Sequence, residues 1–126
     1  MLIIAGTIRI EKPATEEVLE ACRNMMEATH QEDVCIDYVF SVDPIDPKVL
    51  HVFERWETQE ALDNHFLTSH MTPFREAMAN WGVNDMDILK FDVGSFERMR
   101  ELRLDKGPTS VNYKVLTSYI TGGTTS

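Results

Sequence analysis

Residues 35–56 read CIDYVFSV, then DPIDPK, then VLHVFERW, and this stretch decides the fold. In the first run Ile36, Tyr38, Phe40 and Val42 alternate with Asp37, Val39 and Ser41. That is the period of two expected of a strand with one buried face. Two prolines and two aspartates between Asp43 and Lys48 break the pattern and make a turn. The second run, Val49 to Trp56, is again strand-like. It divides Leu50, Val52, Glu54 and Trp56 from Val49, His51, Phe53 and Arg55. Two strands joined by so short a link form an antiparallel hairpin.

Working outward, MLIIAGTIRI at the start is β-branched and apolar and reads as a buried strand, ended by Lys12-Pro13. From Thr15 to about Gln31, Val18, Leu19, Cys22, Met25 and Met26 recur at helical spacing. Pro13 or Thr15 opens that helix, and Glu16 and Glu17 suit the positive end of its dipole. After the hairpin, Thr58 caps a second helix carrying Ala61, Leu62, His65, Phe66 and Ser69 on one side. Thr72-Pro73 predicts a break near Met71 and a restart through Phe74, Ala77, Met78 and Trp81, stopped by Gly82. Met86 to Val93 predicts the last core strand.

The order strand, helix, strand, strand, helix, strand gives an α+β, ferredoxin-like βαββαβ domain over residues 1–95 with its helices on one face. Tyr38, Phe40, Val52 and Trp56 then predict an uncovered apolar sheet face, closed by a second copy into a dimeric barrel. Residues 96–126 exceed what this core needs. They predict an extension with a short helix through Phe96, Met99 and Leu102, a strand over Val111–Ile120 and a frayed tail.

Composition narrows the function classes. A length of 126 residues fits one domain, and a hydrophobic fraction of 43% supports one core. The net charge of −9, with twelve scattered Lys and Arg, argues against nucleic acid or an anionic membrane as partner. No apolar run approaches the roughly 20 residues of a membrane span. Met1–Gly6 lacks the flanks of a signal peptide, so a cytoplasmic location is expected. Cys22 and Cys35 sit in a helical and a strand pattern and read as buried hydrophobes. Met25, Met26, Met71, Met78, Met86 and Met99 read as adaptable fillers. Gly-rich phosphate loops and close His or Cys ligand spacings are missing, so neither a metal nor a cofactor is expected.

The pattern Tyr38-x-Phe40, Phe53-Glu54-x-Trp56, Ala61-Leu62-x-x-His65-x-x-Thr68-x-His70 resembles the antibiotic-biosynthesis monooxygenases, including their quinol-monooxygenase members. The resemblance spans about residues 1–95 and implies a homodimeric ferredoxin-like α+β barrel that oxygenates a small aromatic molecule without a cofactor. Departures are visible as well. Glu32-Asp33-Val34-Cys35 stands where members commonly have Glu-x-Gly-Cys, and the strand ending at Trp56 carries no Asn. The Trp that haem-degrading relatives place near His65 is also missing, which argues against haem.

Chemistry of that kind needs a dry pocket, a base for a phenolic proton and a donor for the resulting oxyanion. His65, on the apolar stripe of the second helix, is the candidate base; a core-edge histidine would show the same pattern. Tyr38, Phe40 and Trp56 are candidate pocket walls, and Thr7 and Glu54 candidate polar contacts to substrate. Glu54 among apolar neighbours requires a partner, expected to be an Arg or Lys. His70, five residues beyond His65, falls roughly 140° round a continuous helix and is not expected to share a site with it. His51 reads as helix-side or edge, and His30 as solvated. Two other readings stay open: a non-catalytic dimeric binding or stress-response protein, and a cofactor-free isomerase or decarboxylase using the same base.

Overall fold

The computed structural model describes residues 1–99 apart from Asp33. Seven elements follow one another: β1 (Leu2–Ile10), α1 (Glu16–His30), β2 (Cys35–Val42), β3 (Val49–Trp56), α2 (Gln59–Phe66), α3 (Met71–Met78) and β4 (Val83–Asp92). Thr15 caps α1 by accepting the Val18 N–H, and Thr58 caps α2 by accepting that of Ala61. In the hairpin link, Asp43 Oδ2 accepts the N–H groups of Ile45 and Asp46 at 2.9 and 2.8 Å. Those bonds and the His51 side chain hold the Asp43 carboxyl down at about 2.

The strands form one antiparallel sheet in the order β2-β3-β1-β4. The sheet and its three helices make the ferredoxin-like βαββαβ arrangement. Glycine is required at position 6 because β1 approaches β4 closely: a Cβ there would lie 2.0 Å from Asp87 O. Gly82, with φ +67°, makes the reversal that leads into β4.

The core lies between sheet and helices. Leu2, Ile8 and Ile10 of β1, Tyr38 and Phe40 of β2, and Leu50, Val52 and Trp56 of β3 meet Val18, Cys22 and Met25 of α1, Leu62 of α2, and Met71 and Phe74 of α3. Burial raises the Cys22 and Cys35 thiols to about 11, so neither is a ready nucleophile.

Tyr38, Phe40, Val52 and Trp56 therefore face the helices, not an open surface. The expectation underestimated the area that the helices cover: among the described residues α1, α2 and α3 together pack over this face. By alternation the outer face instead carries Ile3, Ala5, Val39, Phe53, Leu89 and Phe91. Val39, Phe53, Ala5 and Leu89 line up in one row across all four strands. Phe53, Leu89 and Phe91 are exposed.

Three boundaries also move. The second helix ends at Phe66, short of the predicted break near Met71, and the next starts at Met71 with His70 as N-cap. β4 starts at Val83, three residues before Met86, directly after the turn at Gly82. Residues 95–99 carry no helix. The remainder of the predicted helix and the Val111–Ile120 strand lie outside the described residues. No helix among the described residues is long and apolar enough to cross a membrane.

Candidate functional site

The turn between α2 and α3 builds the site. Thr68 Oγ1 donates to His65 O at 2.6 Å, and the Thr68 N–H bonds the same carbonyl at 3.1 Å. A threonine hydroxyl that bonds a helix carbonyl weakens and bends the helix locally. The chain then turns, with Met71 N–H donating to Thr68 O at 3.2 Å, and brings His70 back toward the face it would otherwise have left. The rings of His65 and His70 come to lie with centroids 5.8 Å apart.

Between them stands Glu32, just past the end of α1. Its Oε2 lies 2.7 Å from His65 Nδ1 and 2.7 Å from His70 Nε2. A carboxylate only accepts, so each of these nitrogens carries its proton. The basic nitrogens are therefore Nε2 of His65 and Nδ1 of His70. Thr68 Oγ1 also lies 3.0 Å from His70 Nε2. His65 is sealed at 1% exposure, Glu32 is at 14% and His70 at 22%, so the group runs from core to surface.

Behind His65 the sheet supplies an aromatic floor. Its ring centroid lies 4.8 Å from that of Trp56 and 5.1 Å from that of Tyr38. Trp56 Nε1 donates to Glu54 Oε1 at 2.9 Å. Burial pushes the Glu54 carboxyl up to about 7, the Trp56 bond works against that rise, and the charge of Glu32 adds to it. The Arg or Lys partner expected for Glu54 is replaced by an indole N–H, and burial favours the protonated form of the carboxyl. Burial likewise raises the Tyr38 hydroxyl above the usual tyrosine range. Burial also lowers His65 below its ordinary 6.5, overriding the opposing pull of Glu32. The Thr29 side chain, fully buried in the last turn of α1, meets the Tyr38 hydroxyl and opposes its rise.

The fold thus brings together His65, Tyr38, Trp56 and Glu54 from the sequence-derived set. Phe40 packs on Phe74 at 5.0 Å, as core. Thr7 lies on the outer face, pairing in register with His51 and Asp87, and belongs to no site near His65. His51 bonds Asp43 at 2.8 Å on that outer face, and His30 is exposed, with its Nε2 3.0 Å from Tyr38 O.

Two clefts flank α1. One, of about 510 Å³, is lined by Ile10, Lys12, Val18 and Trp81 among others. The second, of about 460 Å³, is lined by residues of α1 and α3, including Met25, Phe74 and His70. Tyr38, Phe40, Trp56, Glu54 and Thr7 line neither cleft. The predicted pocket walls are core, and the wall that meets a cleft is His70.

Sequence reasoning missed Glu32 and His70. It separated His65 from His70 by assuming a helix continuous through His70, and it gave Glu32 no role. The weak helix-forming pair Thr68-Ser69 was the available signal. Spacing along the chain likewise argued against a metal-ligand group, yet these three donors now lie within 4.8 Å of one another.

Residues 1–77 match the family model for antibiotic biosynthesis monooxygenase. The chain belongs to that family. A solved antibiotic biosynthesis monooxygenase is 30% identical with a TM-score of 0.66, covering 75% of this chain and 100% of its own. A candidate antibiotic biosynthesis monooxygenase from Deinococcus radiodurans is 24% identical with a TM-score of 0.67, covering 80% and 100%, a likeness that shows the fold alone. The uncharacterized protein sll1783 of Synechocystis is 31% identical over 75 residues, which is 60% of this chain and 51% of that protein. The chain spans about half the length of this curated relative.

Proposed function

We propose that this protein is a monooxygenase that needs no cofactor and acts on a phenolic or quinol-like small molecule seated in the cleft between α1 and α3. The observation that carries the reading is the Glu32 carboxylate holding two imidazoles at 2.7 Å, one of them on the cleft wall. A carboxylate that fixes an imidazole tautomer leaves the opposite nitrogen basic and correctly aimed. His70 Nδ1 takes the phenolic proton. His65, joined to it through Glu32, steadies the resulting charge from the core side, so the base is His70 in place of His65.

The deprotonated ring is electron-rich enough to meet dioxygen directly. One oxygen atom enters the ring and the other leaves as water, the quinol supplying all the electrons. Met25 and Phe74 give the cleft an apolar wall suited to an aromatic ring. The protein works as a homodimer joined through the outer sheet face, where the row Val39, Phe53, Ala5 and Leu89 supplies the apolar surface.

Oxygen uptake by chelator-treated protein against a panel of quinols tests the reading. Uptake should need both histidines, and His70→Ala should lower turnover by about 10²–10⁴-fold. Ligand binding without uptake would replace the oxygenase with a binding protein, and turnover without oxygen consumption would replace it with an isomerase or decarboxylase.

A further inference from the structure

We propose that Glu32, His65 and His70 also form a binding site for a divalent first-row transition-metal ion of the Zn(II) or Fe(II) class. Two imidazoles and one carboxylate are the donor set both ions favour, and three protein ligands leave positions for water. The donors come from three places, the end of α1, the last turn of α2 and the cap of α3, so the fold fixes them from independent anchors. Their ligand atoms already lie within 4.8 Å of one another. Ligand atoms around a tetrahedral zinc stand about 3.3 Å apart, from metal–ligand lengths near 2.0–2.1 Å. The two 2.7 Å contacts therefore have to open by about 0.6 Å, and the His65 Nδ1–His70 Nε2 separation, within 4.8 Å, has to settle at the same spacing to admit the ion.

Access and surroundings agree with this reading. His70 lines a cleft and gives an entry path, while sealed His65 forms the inner end. Thr68 donates its proton to His65 O and keeps lone pairs 3.0 Å from His70 Nε2, where a water on the ion can donate to them. The chain's net charge of −9 favours cation capture. Arg75, which donates to Phe66 O, is the positive group acting on His65 from α3, and the negative charge of Glu32 opposes it.

The site rests on donor geometry and not on the oxygenase reading, but the two interact. A metal on His65 Nδ1 and His70 Nε2 displaces the protons from those atoms to the opposite nitrogens. Nδ1 of His70 then carries a proton and accepts none, so metal occupancy switches the proposed base off.

Isothermal titration of the chelator-treated full chain with Zn(II), and the visible spectrum on adding Co(II), test the site. One ion per chain is expected, with the intense absorption of low-coordinate Co(II). His70→Ala and Glu32→Gln should each weaken binding by at least the roughly 10–100-fold that outer-shell losses cost. His51→Ala, at the far end of the hairpin, should leave binding unchanged. Folding of each variant is checked by circular dichroism, and the half-buried positions of Glu32 and His70 make these two substitutions the mildest at the site. No saturable binding at about millimolar Zn(II), or equal binding by wild type and His70→Ala, would overturn the proposal and leave the oxygen-uptake test standing.

Discussion

Replacing Glu54 by glutamine should raise stability at alkaline pH and leave it nearly unchanged in acid. The carboxyl is 7% exposed, bonded to Trp56 Nε1, and pushed by burial from 4.5 up to about 7. The folded state thus holds this proton more tightly than the unfolded chain does. Between those two values the native state binds more protons, so stability falls as pH rises through the interval. Below 4.5 the penalty is absent, and above about 7 it is complete. At about 1.4 kcal/mol per pH unit the gap corresponds to roughly 3 kcal/mol, a large share of the 5–15 kcal/mol of a typical domain. Glutamine keeps the oxygen that accepts from Trp56 and carries no ionisation. Wild type and Glu54→Gln should therefore unfold alike near about pH 4.5 and separate by about 3 kcal/mol near about pH 8.5. For a domain of this size that is a difference of roughly 10–20 °C in Tm. Denaturant unfolding of both proteins across the pH series measures it, and taking the difference cancels the titrating groups that do not interact with Glu54. Parallel stability curves would refute the reasoning, because they would mean that Glu54 ionises in the folded state as easily as in water.

Other outcomes follow from the same geometry. Gly6→Ala places a methyl 2.0 Å from Asp87 O and should break the β1–β4 pairing, with a loss above about 4 kcal/mol; an unchanged melt would show that β4 can move aside. Phe53→Asp, at the centre of the outer apolar row, should give a monomer in sedimentation with the fold intact; a persistent dimer would move the interface elsewhere. Burial keeps His65 neutral to lower pH than a free imidazole, so its ring resonances in NMR should titrate below the ordinary 6.5; a midpoint above that value would contradict the burial argument.

Most of the fold was legible because its signals are local. The alternation through Cys35–Val42 and Val49–Trp56 gave both hairpin strands with the bounds the structure has. Thr15 and Thr58 announced their helices because an N-cap needs only a hydroxyl three residues from an N–H. What periodicity leaves open is which side of the sheet is covered. A strand such as β3 shows the same alternation whether Trp56 meets helices or a second protein. The answer depends on how much area the helices cover, and the break came at Phe66, earlier than the one predicted near Met71.

The site was harder to read for a related reason. Its chemistry depends on one oxygen of Glu32 meeting two rings from residues 33 and 38 positions further along the chain. A motif registers spacing, but this group is defined by convergence. Had the chain stayed helical through His70, that ring would have pointed roughly 140° away from His65, and no carboxylate could have bridged them. Thr68 decides between these outcomes by taking the His65 carbonyl for its hydroxyl and its own N–H. The residue that assembles the site is thus neither an acid nor a base but the one that ends a helix early. That is why reading residue types for their chemistry picked out His65 and passed over the carboxylate and the second imidazole that converge with it.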